Sequence, residues 1–158
     1  MPQILYVCTS NTCRSPAAER IAREHLRKIG RTDVKIASRG LTDRYSAWGS
    51  GPDPRAAAAL ERATGLVSAF HASSLLTAEE VDACSALFYF MDEQRDWIAG
   101  AVGEAPVRRA AETGRLRLVA PDGVPDPFFA DDAFYDEVMQ LLQKHVARSL
   151  DEVLADIG

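Results

Sequence analysis

The stretch VCTSNTCRSP, from Val7 to Pro16, holds two of the three cysteines in a chain of 158 residues. Cys8 follows an apolar run and Ser15-Pro16 opens a helical pattern, so the residues between form a strand-to-helix turn of small polar side chains. Successive N–H groups in such a turn point inward as an anion-binding nest. The following helix adds unpaired donors and a partial positive charge. Arg14 adds a fork that matches phosphate oxygens. Cysteines beside arginine at a helix start ionise more readily than free ones, which would make Cys8 a nucleophile toward a bound phosphate monoester. The other chemistries open to two cysteines fit less well. A zinc site needs about four ligands, and only Cys84 and three scattered histidines remain. Redox dithiols of the thioredoxin kind are spaced CxxC, and structural disulfides belong to oxidising compartments. A phosphate-binding module without catalysis would use the same cradle.

A nucleophile that displaces an alkoxide or phenolate needs a proton donor for the leaving oxygen. The segment PDGVPDPFF supplies a candidate in Asp126, set between Pro125 and Pro127 and followed by Phe128 and Phe129. The prolines restrict where the carboxylate points. Alone, Asp-Pro is a turn; with the cysteine loop it becomes a general-acid candidate.

These groups must be carried by a fold that brings position 8 to position 126. Residues 3–7 read as a buried strand, 15–29 as an amphipathic helix ended by Gly30, and 34–38 as a second strand: a βαβ unit with parallel strands. A long irregular stretch, 39–54, precedes a helix over 55–64. A short helix over 77–83 opens with the capping box of Thr77 and Glu80. Strands are expected at 86–91 and 115–119, a helix beginning at 92–99, and a long helix over 131–156. The whole chain, 1–158, reads as one domain: a three-layer αβα sandwich around a four-stranded parallel sheet. Ligands of such sheets bind at the carboxyl ends of the strands, where Cys8 lies.

The bulk numbers agree. Apolar residues make up 47%, enough for a core, and the net charge of −5 argues against nucleic acid or an anionic membrane as partner. Neither a signal peptide nor an apolar run of ~20 residues is evident, so the cytoplasm is the expected compartment.

Cys8-x4-Cys13-Arg14-Ser15 together with the late Asp126-Pro127 resembles the low-molecular-weight protein tyrosine phosphatases, which have a flavodoxin-like topology. The likeness extends over nearly the whole chain through SRG at 38–40, WGSGPDPRA at 48–56, His71, Met91-Asp92 and VPDPFF at 124–129. The resemblance implies that Cys8 is the nucleophile and passes through a phosphocysteine. Arg14 would bind phosphate, with the amides of Thr9, Ser10, Asn11, Thr12, Cys13 and Ser15 around the phosphoryl group. Ser15 would donate to the thiolate, Asn11 would brace the loop with Ser38 and His71, and Asp126 would protonate the leaving group and then activate water. Cys13 would form a reversible disulfide with Cys8 under oxidation. Trp48 on one side and Phe128 and Phe129 on the other would wall a deep pocket for a phenyl phosphate, too deep for phosphoserine. No metal or cofactor is implied. The partner would be a phosphotyrosine protein, such as a bacterial tyrosine kinase, with inorganic phosphate as product.

Departures from the family pattern keep other substrates open. Ser10 stands where a glycine is usual, and Arg39 and Leu41 where Ala and Thr are usual. Thr12 replaces the Ile or Leu of tyrosine-specific relatives and, with Phe after Asp-Pro, resembles protein-arginine phosphatases. A thiol-dependent arsenate reductase shares the loop but needs two further redox cysteines near the third strand, where only Cys84 lies.

Overall fold

The structure is a computed structural model that describes residues 1–68 and 71–158. Its elements are β1 (Gln3–Val7), α1 (Arg14–Lys28), β2 (Lys35–Arg39), α2 (Pro54–Thr64), α3 (Ala78–Ala83), β3 (Ala86–Tyr89), α4 (Glu93–Val102), α5 (Glu104–Glu112), β4 (Leu116–Leu118) and α6 (Asp132–Ile157). The four strands are all parallel in the order β2-β1-β3-β4. Alternation along β1 distributes the core: Ile4, Tyr6 and Cys8 face one side with α1, α2 and α6, while Leu5 and Val7 face the other with α3, α4 and α5. Three layers result, as the sequence predicts, and Cys8 ends the strand on the α1–α6 side.

Local signals explain most boundaries. Asp53 caps α2 by accepting from the Arg55 N–H, Pro54 occupies its first turn, and Gly65 closes it in the left-handed conformation. The capping box of Thr77 and Glu80 is formed in both directions. Glu80 also holds Arg39 at 2.8 Å, tying α3 to the end of β2. Two expectations need correction. Strand β3 stops at Tyr89 rather than 91, because the Gln94 side-chain oxygen takes the N–H groups of Phe90 (2.7 Å) and Met91 (3.0 Å). The helical segment after β3 is two helices: α4 is broken at Gly103 (φ 97), and α5, not expected from the sequence, carries Pro106 in its first turn, where a missing N–H costs nothing.

Candidate active site

The loop from Cys8 to Arg14 joins β1 to α1 and is held from outside through its carbonyls. The Thr9 oxygen accepts from Leu41 N (2.8 Å) and Thr42 N (3.2 Å), the Thr12 oxygen from Asp53 N (2.8 Å), and the Cys13 oxygen from Ala17 N (3.2 Å). The Asn11 oxygen accepts from His71 Nε2 at 2.7 Å, which puts the imidazole proton on that nitrogen. In a planar trans peptide the N–H points opposite to the C=O. Carbonyls anchored outward therefore turn the N–H groups of Ser10, Thr12, Cys13 and Arg14 toward the loop's centre, above Cys8.

Asn11 is the brace. It sits at φ 60, a conformation that asparagine tolerates better than most residues. Its Nδ2 donates to Ser15 Oγ (2.8 Å) and Ser38 Oγ (3.0 Å), and its Oδ1 accepts from Ser74 N (3.1 Å). Sequence reasoning named Ser38 and His71 as supports and missed Ser74. Gly40 lies directly behind: a Cβ there would come within 3.0 Å of Asn11 Cβ and 3.1 Å of Ser10 C, so any side chain would press on the loop. Ser10 is not in the positive-φ region, so a side chain in place of glycine carries no backbone strain there; its Oγ lies 3.0 Å from Thr12 Oγ1.

The almost fully buried Cys8 sulfur has Ser15 Oγ at 2.9 Å and Ser15 N at 3.4 Å. Because Asn11 donates to Ser15 Oγ, the serine hydroxyl is left to donate to the sulfur or, at 3.5 Å, to Arg39 O. Burial, with the charge of Cys8 adding to it, pushes the neighbouring Cys13 thiol well above its ordinary range. The two cysteines are thus unlike: the Cys8 sulfur has a hydroxyl and a backbone N–H against it, the other is held as a neutral thiol. Both are free thiols. Cys84 lies on the opposite face of the sheet, its Sγ donating to Val81 O, away from the loop.

Arg14 is almost fully buried. Its Nη1 donates to Val124 O (3.0 Å), its Nη2 lies 3.6 Å from Asp126 Oδ2, and its guanidinium sits 5.7 Å from the Phe90 ring centre. Asp126 is half-exposed, with Oδ1 accepting from Phe128 N at 3.0 Å. Cysteine loop, arginine and aspartate thus face one cleft of about 700 Å³, as their types and spacing predict.

The walls differ in part from expectation. Phe128 and Phe129 line the cleft, but Trp48 does not: it is half-buried in the 41–53 loop. Gly49 N to Ser73 O (2.8 Å) and Ser50 N to Ser73 Oγ (3.1 Å) pin the residues beside Trp48 to the neighbouring segment. Tyr45 reaches the cleft instead and meets Phe128 with ring centres 5.8 Å apart. Met91, Gln94, Trp97, Asp53 and Tyr135 also line it, and none of them was expected there as a pocket residue. Tyr45 carried a weak signal, as a second aromatic in a long loop; Gln94 carried none. Its Oε1 is used twice by β3, while its buried Nε2 has no partner among the described residues. Tyr135 donates to Asp53 at 3.4 Å, and burial first, then the Asp53 charge, raises its hydroxyl to about 12.

Comparison with known proteins accords with this geometry. The model of the family described as "Low molecular weight phosphotyrosine protein phosphatase" matches residues 3–157. The low molecular weight protein-tyrosine-phosphatase Ptp of Acinetobacter johnsonii is 31% identical over 144 residues, covering 91% of this chain and 92% of that protein. Among solved structures, the tyrosine phosphatase Wzb from Escherichia coli K30 in complex with sulphate has a TM-score of 0.78 and 26% identity, with 96% of this chain and 97% of that one covered. The YwlE arginine phosphatase from Geobacillus stearothermophilus has a TM-score of 0.75 and 25% identity, with 99% and 95% covered. The chain therefore belongs to the low molecular weight phosphotyrosine protein phosphatase family, whose members are phosphoric monoester hydrolases working through a cysteine.

Proposed function

We propose that this protein hydrolyses phosphotyrosine in protein substrates through a phosphocysteine, with Cys8, Arg14 and Asp126 as its catalytic residues. The dianion sits over the loop amides and Arg14. The Cys8 thiolate attacks phosphorus, the bond to the phenolic oxygen breaks, and Asp126 gives that oxygen its proton. Water then attacks phosphorus, Asp126 takes a proton from it, the P–S bond breaks, and inorganic phosphate leaves the regenerated thiolate. Ser15 supports the sulfur when it carries charge at the start and end of the cycle. Swinging Asp126 between Arg14 and the leaving oxygen needs little motion, since it already lines the same cleft. The observation that carries the tyrosine reading is the aromatic wall of the cleft, where Tyr45 and Phe128 touch as a tilted pair with ring centres 5.8 Å apart. Such a wall gives a phenyl group apolar surface to pack on while its phosphate reaches the loop. The protein substrate is read as a cytoplasmic phosphotyrosine protein such as a bacterial tyrosine kinase; no helix is long and apolar enough to cross a membrane among the described residues.

A second reading, hydrolysis of phosphoarginine in proteins, is favoured by Thr12, whose side chain lines the cleft hydrogen-bonded to Ser10, and by the likeness to an arginine phosphatase. Turnover of phosphotyrosine, phosphoarginine and arsenate by the parent protein and by Cys8→Ser separates the readings. Turnover of phosphotyrosine that is lost in Cys8→Ser is expected. Preference for phosphoarginine would replace this reading with the second, and turnover that survives Cys8→Ser would reject both. Arsenate reduction would need a thiol relay, and the third cysteine is packed on the far face of the sheet.

A further inference from the structure

Eight large hydrophobic side chains are exposed among the described residues, and four of them, Tyr45 (55% exposed), Trp97 (53%), Phe128 (45%) and Phe129 (90%), line the cleft that the loop after Cys8 borders. They come from three separate segments: the 41–53 loop, α4 and the 125–130 loop. Exposed apolar groups scattered singly are ordinary, whereas a contiguous set around a cavity marks an interaction surface. Two of the four meet over the cleft, as described. Phe129 and Trp97 are not paired across the cleft in this way, and most or half of their surface is open to water.

Phe129 adds a second observation. It sits at φ 69 as the third residue of a four-residue turn that Ala130 N closes onto Pro127 O at 2.8 Å. Turns of that geometry favour glycine or asparagine at the third position, and a bulky aromatic there is strained. Its ring meets Phe128 with centres 4.2 Å apart yet gains almost no burial in return. The turn is held from behind by Phe128 N on Asp126 Oδ1 (3.0 Å) and by Arg55 Nη2 on Ala130 O (2.6 Å). The ring is therefore presented to solvent on a fixed base, not waving on a loose loop.

We propose that Phe129 and Trp97 form an apolar collar outside the phosphate pocket that receives a large apolar side chain directly flanking the phosphorylated residue of the protein substrate. The proposal rests on the phosphotyrosine reading above. The occupant follows from position: both side chains line the cleft that the phosphate loop opens into, so the chain that delivers the phosphotyrosine passes over them. The carboxylates that line the same cleft, Asp53, Glu93 and Asp126, would repel an acidic neighbour.

The test compares two phosphotyrosine peptides that differ only in the residues directly flanking the phosphotyrosine, leucine in one and serine in the other. It measures kcat/KM for the parent protein, Phe129→Gly and Trp97→Ser. The parent is expected to prefer the leucine peptide by about three- to tenfold, the scale of partly burying one apolar side chain. That ratio should fall toward one in both variants, whatever their absolute rates. Phe129→Gly should unfold no more easily than the parent, because it relieves the turn, so a lost preference there is not a folding defect. Equal rates for the two peptides with the parent, or a preference kept by both variants, would overturn the collar while leaving phosphotyrosine hydrolysis intact. No turnover of either peptide, with turnover of a phosphoarginine peptide, would overturn the phosphotyrosine reading itself. A parent dimer in sedimentation that becomes monomeric in Phe129→Gly would assign the collar to a second copy of the chain and also overturn the proposal.

Discussion

Replacing Asn11 tests whether the phosphate loop is a prestressed element held by its surroundings. Asn11→Ala removes the two donations to Ser15 and Ser38 and the acceptor of Ser74 N–H, each worth about 1 kcal/mol net. It also leaves an alanine at φ 60, where a side chain without a local polar partner costs about 1–2 kcal/mol. The expected destabilisation is roughly 3–5 kcal/mol. Asn11→Gly loses the same hydrogen bonds but not the backbone tolerance. After the greater freedom of glycine in the unfolded chain is counted, it should remain about 1 kcal/mol more stable than the alanine variant. Both variants take the Nδ2 donor from Ser15 Oγ, so the hydroxyl beside Cys8 loses a bond that orients it. The catalytic loss should be similar in the two, about 10- to 100-fold in kcat/KM, the scale of misplacing a reacting group. Urea unfolding gives the first pair of numbers and steady-state kinetics the second. Equal stability of the two variants would refute the strain argument. Loss below 1 kcal/mol in both would refute the claim that this network holds the loop.

Asp126→Asn should lower kcat by about 10²- to 10⁴-fold for a poor phenolate leaving group and by less for an activated one; equal losses for both, measured as a leaving-group series, would reject proton donation. Gln94→Ala strips the acceptor from Phe90 and Met91 N–H and should cost roughly 2–4 kcal/mol in denaturant unfolding, whereas Gln94→Glu keeps an oxygen for both and should unfold more nearly like the parent. Gly40→Ala drives a Cβ to 3.0 Å from Asn11 Cβ and should lower kcat/KM by pushing the loop; unchanged kinetics would mean that the strand has room to yield. The raised thiol of Cys13, from an ordinary 9.0, and the raised hydroxyls of Tyr6 and Tyr135, from an ordinary 10.0, set an alkaline limit. Their folded forms keep protons that the unfolded chain releases, so stability should be level below about pH 9 and fall as pH rises beyond it toward 12. A flat profile in urea titrations from pH 8 to pH 11 would contradict the burial of these groups.

The chemistry was readable in the sequence wherever it depends on neighbours along the chain. Cys8, Arg14 and Ser15 are spaced by one strand-to-helix turn, and the turn alone brings sulfur, hydroxyl and helix start together. The cap of α3 was legible for the same reason: its capping box is a contact between residues three apart. Parallel order was legible because buried strands alternate with amphipathic helices.

What only the tertiary structure decided is which distant groups meet. Asn11 finds Ser38 and Ser74 across 27 and 63 residues, and Arg14 finds Val124 across 110. The 41–53 loop has no periodicity to reveal which aromatic turns inward; its bonds to Ser73 and Thr12 choose Tyr45 and leave Trp48 aside. Gln94 looked like one polar residue on a helix, yet its carboxamide ends β3 and lines the cleft. Spacing along the chain determines a site only as far as one turn of backbone reaches. Beyond that, the partners are chosen by how the layers pack, and that is settled by all the side chains at once.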